Sequence, residues 1–172
     1  MKKLVALSVF ALLLIAVSCK KNAAPVSNNC TYTPSTIVAP LAEQQALQDS
    51  LTAHGIQATK DSSGLFYIIT KPGSGTSATS LCSTLAVYYR AGFFDGKKFD
   101  STSGNPAIFQ LGRVIAGWQK AIPKIARGGE MTLYIPPSLG YGSKDVTNPS
   151  TGAVVIPANS NLVFDVVIVD VR

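Results

Sequence analysis

Apolar residues recur along this chain in three different rhythms. Leu4–Val17 is an apolar run broken only by Ser8, behind Lys2 and Lys3. Between Pro40 and Gly55, Leu41, Leu47 and Leu51 with Ala42 and Ala46 form a loose helical stripe. It predicts a helix through about His54, with Pro40 suited to the first turn and Gly55 to the stop. From Gly64 the pattern changes to strands. Leu65–Thr70 is aromatic and β-branched, Lys71–Thr79 is a turn region rich in Gly, Ser and Pro, and Leu81–Phe94 is a long strand candidate. Met131, Leu133 and Ile135 alternate with Glu130, Thr132 and Tyr134, which predicts a half-buried strand. Leu162, Phe164, Val166 and Ile168 alternate in the same way. There the opposite face holds Val163, Val167 and Val169 beside Asp165, so cover on both sides is expected. One short helix fits the body, about Gly117–Lys124, limited by Pro123. Antiparallel strands with one helix across them make an α+β layout.

The first rhythm is a targeting signal rather than a core element. It is shorter than the roughly 20 residues that span a bilayer. Ala16-Val17-Ser18 precedes Cys19. Small residues there suit ordinary signal cleavage, and small residues before a cysteine also resemble a bacterial lipoprotein signal, in which Cys19 becomes the lipidated terminus. Both readings cut the same bond. The usual leucine three positions before the cysteine is Ala16 here. Residues 20–39 are polar and rich in Asn, Ser, Thr and Pro, as a tether would be. The expected organisation is a signal over 1–18, a lipid-anchored flexible tether over 19–39, a helical extension over 40–63 and a folded body over 64–172.

Three cysteines are an odd count for an exported chain. With Cys19 given to lipid, Cys30 and Cys82 remain as a candidate disulfide, which an oxidising compartment permits. Two buried free thiols are the alternative. The net charge is +6; without Lys2 and Lys3 it is +4, with only Lys20-Lys21 and Lys97-Lys98 adjacent. Nucleic-acid binding needs a denser basic stripe, and none is visible. His54 is the sole histidine and falls in the expected extension. A Ser-His-Asp or Cys-His machine would need it beside a nucleophile. The body has no His/Cys cluster at metal-ligand spacing, and Gly73-Ser74-Gly75 lacks the phosphate-loop lysine. No metal or cofactor is expected.

Four segments carry the chemistry: Tyr89–Ser101 (YRAGFFDGKKFDS), Leu111–Ile122 (LGRVIAGWQKAI), Ile135–Gly142 (IPPSLGYG) and Val155–Val166 (VIPANSNLVFDV). In order and spacing they resemble the FK506-binding (FKBP) class of peptidyl-prolyl cis-trans isomerases, over about residues 64–172. The resemblance implies a twisted antiparallel sheet wrapped around one short helix. It implies that Tyr89, Phe99 and Asp100 are pocket residues, that Val114 and Ile115 form the rim, and that Trp118 is the floor. Tyr141 would bond the ligand backbone through its hydroxyl, and Ile156 and Phe164 would complete the apolar wall. Asp100 would hold Tyr89 or a polarised carbonyl partner rather than act as a base.

The activity so implied is rotation about X–Pro bonds in proline-containing polypeptides during folding of exported proteins, with FK506-type macrolides as possible inhibitors. The expected location is the periplasmic side of the outer membrane, through the N-terminal lipid. Two departures mark where this chain differs. Ala107 follows Pro106 where an aromatic is usual, and the segment between Gly142 and Ile156 is several residues longer than in compact members. That segment overhangs the expected site, as a tuner of substrate choice or as a surface loop. A rival reading is an FKBP-like chaperone or binding module with little isomerase activity. A third, a glycan- or partner-binding lipoprotein, would use exposed aromatics such as Tyr32.

Overall fold

The computed structural model describes residues 30–172; the expected signal, Cys19 and the first part of the expected tether lie outside the described residues. Helix α1 spans Leu41–Ala53 with Pro40 as its N-cap, and Gly55, at φ 66°, turns the chain out of it. The helix buries only part of the expected leucine and alanine stripe. Gln44, Leu47 and Leu51 are buried, whereas Leu41 is 81% exposed and Ala42 and Ala46 face solvent. Gln44 is tolerated inside because its Nε2 donates to the Ala39 carbonyl at 2.6 Å. Its stem also fills the space beside Gly64, where a Cβ would lie 2.7 Å from Gln44 Cγ.

The strands are β1 (Thr59–Lys60), β2 (Phe66–Lys71), β3 (Thr84–Gly92), β4 (Lys98–Ser101), β5 (Ala107–Gln110), β6 (Glu130–Ile135), β7 (Val146–Thr147), β8 (Val154–Ile156) and β9 (Leu162–Val171). A short helix α2 (Ala116–Ala121) lies between β5 and β6. The main sheet runs β1-β2-β6-β9-β3-β4, with β5 also on β3, and every pairing is antiparallel. Strands β7 and β8 pair only with each other. This is the expected α+β layout.

Strand β3 is shorter than the apolar run Leu81–Phe94 for local reasons. At its start Ser83 N–H donates to Ser80 O, closing a turn; at its end Phe93 N–H donates to Lys97 O around Gly96. Helix α2 continues into a single 3-10 turn, Ile122–Lys124, because Pro123 has no N–H to extend an α-helix.

Register aligns the core. Met131 faces Val166 and Leu133 faces Phe164 between β6 and β9, while Tyr89 faces Val166 and Ala91 faces Phe164 between β3 and β9. Because side chains alternate along strands, these residues share the sheet face that α2 and the 3-10 turn after it cover with Trp118, Ala121 and Ile122. The approach is close at Gly117, where a Cβ would sit 2.8 Å from Ile135. The other face is covered at one end only. There Leu47 and Leu51 of α1 pack on Phe66 and Tyr134, with Val163 at the margin. Tyr134, expected on an open face, is therefore 6% exposed, while Val169, expected under cover, is 37% exposed.

The described part of the expected tether, residues 30–39, is fastened to the body as a strap. Cys30 and Cys82 form a disulfide with Cα atoms 5.6 Å apart. Lys120 Nζ donates to Ser35 O at 2.8 Å, and Ala39 N–H donates to Ser63 O at 2.8 Å.

The loop between β1 and β2 is anchored to the end of the α2 segment. Asp61 accepts from Ser63 N–H and Oγ–H at 2.9 and 2.7 Å and pairs with Lys124 at 2.7 Å. Burial works against the charge, but Lys124 and the Ser63 donors outweigh it and hold this carboxyl below its usual range. The stabilisation is complete above about pH 4, the unfolded value, and is lost as pH falls through the lower folded value. Asp61→Asn is expected to cost about 1 kcal/mol at pH 7. Urea melts should also show the variant losing less stability than the parent between about pH 4 and 2; equal losses would contradict the assignment.

Candidate active site

The site grows from α2. Trp118 is 3% exposed and meets three rings nearly edge-on, Tyr89 at 5.8 Å, Phe109 at 6.0 Å and Phe164 at 5.6 Å between centroids. Edge-to-face packing fixes ring planes as well as burying area. The indole is thereby set as the floor of an open cleft of about 270 Å³. Val114 and Ile115, in the turn that leads into α2, line one side. Gln119 holds this turn by donating Nε2 to Val114 O at 2.9 Å.

Polar side chains interrupt the apolar lining. Tyr89 O–H donates to Asp100 Oδ2 at 2.6 Å, and Asp100 Oδ1 in turn accepts from Ser101 N–H at 2.8 Å. Strands β3 and β4 place them, with Ala91 paired to Asp100. Tyr141, after the 3-10 turn Pro137–Leu139, is 44% exposed and lines the cleft. Burial, reinforced by the Asp100 hydrogen bond and charge, raises the Tyr89 phenol far above its ordinary value. Burial and the same charge raise Tyr141. Both hydroxyls therefore remain protonated donors across the neutral and mildly alkaline range.

The residues expected from sequence divide into three groups. Tyr89, Asp100, Val114, Ile115, Trp118, Tyr141 and Phe164 all line the cleft. Phe99 stands behind the lining; its ring is edge-on to Tyr141 at 6.4 Å and to Phe164 at 5.9 Å. Ile156 does not reach the cleft surface. It is 3% exposed, within the core, because its place opposite Val146 in the β7–β8 hairpin turns it inward.

The long segment also differs from expectation: no residue from 143 to 155 lines the cleft. It forms the hairpin, closed where Asn148 Oδ1 accepts from Ser150 and Thr151 N–H and tied back by Ala158 N–H to Asp145 at 2.7 Å. Phe109 and Arg113 line the cleft without having been anticipated. Phe109 was readable in principle, since it lies two positions after Ala107 and so on the same strand face. It supplies an aromatic ring to a site where Ala107 had suggested a less apolar edge.

A sheet wrapped on a short helix, with an aromatic cleft over that helix, defines the FKBP fold. Residues 75–169 match the family described as FKBP-type peptidyl-prolyl cis-trans isomerase, and the chain belongs to that family. It is 40% identical over 116 residues to an FKBP-type peptidyl-prolyl cis-trans isomerase FkpA of Buchnera aphidicola subsp. Schizaphis graminum, covering 66% of this chain and 43% of that protein. It is 41% identical over 113 residues to FkpA of Escherichia coli K12, covering 64% and 39%. The crystal structure of FkpA from Escherichia coli superposes with a TM-score of 0.63 at 33% identity, covering 76% of this chain and 60% of that one. This chain thus spans about two-fifths of the length of those two sequence relatives.

Proposed function

We propose that this protein catalyses cis-trans rotation about X–Pro bonds of polypeptides. The observation that carries the reading is the Trp118 floor, walled by aromatic rings, with Tyr141 and the Tyr89–Asp100 pair as its polar points. Rotation about this bond has a barrier of about 18–20 kcal/mol because the amide loses its resonance when twisted. Water stabilises the planar, more polar amide. A cleft that strips water from the carbonyl and fits the twisted form favours the transition state over the ground state. The proline ring would rest on Trp118 between Phe164 and Ile115. The Tyr141 hydroxyl would donate to a backbone carbonyl of the peptide. Asp100, by holding Tyr89, would fix the wall rather than move a proton. No covalent step is required.

Location and organisation complete the proposal. Cys19 would carry lipid after cleavage behind Ser18, and the chain would serve folding of exported proteins from the periplasmic face of the outer membrane. The Cys30–Cys82 disulfide supports an oxidising compartment. Among the described residues no helix is long and apolar enough to cross a membrane. The isomerase domain would span 64–172, with 40–63 as an extension that covers the back of its sheet.

A protease-coupled assay on a Leu-Pro tetrapeptide tests the activity. The full chain should accelerate isomerisation, and an FK506-type macrolide should suppress the acceleration. A chain that delays aggregation of an unfolded client without accelerating the peptide would instead be a binding module with the same cleft.

A further inference from the structure

Tyr32 and Arg113 meet at the lip of the cleft, and the apolar mechanism uses neither. Tyr32 belongs to the strap. Its ring lies against Gly112, where a Cβ would overlap the ring carbons, so glycine is what lets the strap come this near. The Tyr32 hydroxyl donates to Gln110 Oε1 at 2.9 Å and accepts from Arg113 Nε at 2.6 Å. Gln110 Nε2 reaches Cys82 O at 3.5 Å, and Cys82 is bonded to Cys30, two residues before Tyr32. The hydroxyl is therefore held by a closed ring of hydrogen bonds and one covalent link.

The consequence falls on Arg113. Its Nε is engaged, and among the described residues its terminal nitrogens bond to no carboxylate. The side chain is exposed and lines the cleft. A guanidinium held at Nε still presents its two outer nitrogens as a fork suited to a carboxylate. Asp100, the other charged group of the lining, already accepts from Tyr89 and Ser101. Those hydrogen bonds leave the charge of Asp100 in place, so what Arg113 contributes is a positioned fork of open donors rather than a net positive mouth.

We propose that Arg113, positioned by Tyr32, makes this cleft select proline segments that carry an acidic side chain next to the X–Pro pair. The proposal rests on the isomerase reading for its substrate, but not for its binding test.

The test uses the purified full chain and peptides with Glu, Gln or Lys placed before or after a Leu-Pro pair. Binding is read from the fluorescence of Trp118, the sole tryptophan, and turnover from kcat/KM. At about 50 mM salt the better Glu peptide should bind about fivefold tighter than its Lys counterpart, a ratio that shrinks in about 0.5 M salt. Arg113→Gln should bring the ratio close to one, and Arg113→Lys should restore part of it. Tyr32→Phe keeps the ring on Gly112 but removes the partner of Nε, so it should give an intermediate ratio. A wild-type ratio of one, or a ratio kept in Arg113→Gln, overturns the proposal. A Glu preference in binding without acceleration of any peptide would support the Arg113 assignment and reject the isomerase reading. Acceleration without a preference would do the reverse.

Discussion

Reduction of the Cys30–Cys82 disulfide is expected to cost about 4 kcal/mol of folding stability, because the bond closes a long loop in the unfolded chain. The two cysteines are 52 positions apart, and the loop contains α1, β1 and β2. In the folded state the bond fastens the strap beside the turn that precedes β3. The unfolding midpoint should fall by about 10–15 °C in excess reductant, and a Cys30→Ser, Cys82→Ser double variant should match the reduced protein. The compared quantity is the midpoint of a thermal melt, with free thiols confirmed by mass. An unchanged midpoint after confirmed reduction would show that the strap adds no constraint.

The second large effect concerns catalysis. Tyr141→Phe and Asp100→Ala are each expected to lower kcat/KM for a Leu-Pro tetrapeptide about tenfold or more, the loss typical of removing one fixed polar contact to a transition state. They should do so for different reasons. Tyr141→Phe keeps the ring that packs edge-on to Phe99 and removes only the hydroxyl, so the fold should be undisturbed. Asp100→Ala leaves the Tyr89 hydroxyl without its acceptor. Tyr89 also forms one edge of the Trp118 cage, so the loss should be partly one of wall geometry. Tyr89→Phe should then lose less than Asp100→Ala. Wild-type rates in both primary variants, with unchanged melting, would remove these residues from the site.

What was legible in the sequence follows from how local each signal is. Trp118, Val114 and Ile115 sit on one turn and one short helix, so neighbours in sequence are neighbours in the cleft. Tyr141 follows a Pro-Pro segment that leaves few conformations open. All of the cleft residues expected from sequence were assigned through the resemblance to a known family; Tyr89, Asp100 and Phe164 depend in addition on the register of β3, β4 and β9, which no local pattern displays. Ile156 was placed wrongly on the cleft surface because its direction is set by its pairing with Val146, which the sequence does not display. Gln44 and Tyr134 show the same limit. Each is buried by an element distant in sequence, one against Gly64 and the other under α1, and polarity pointed the wrong way for both. Residues 30–39 read as a tether because their composition is polar. What fastens them is a disulfide, a glycine at 112 and several hydrogen bonds, none of which has a periodic signature.

The cleft is an isomerase site only if it accelerates rotation. The most direct measurement is exchange between the cis and trans resonances of a Leu-Pro tetrapeptide by NMR, with no protease present. Catalytic amounts of the chain should raise the exchange rate well above its spontaneous value, and the Asp100→Ala, Tyr141→Phe double variant should bring it most of the way back. An exchange rate equal to that of the free peptide, with the peptide bound and the protein folded, would contradict the account.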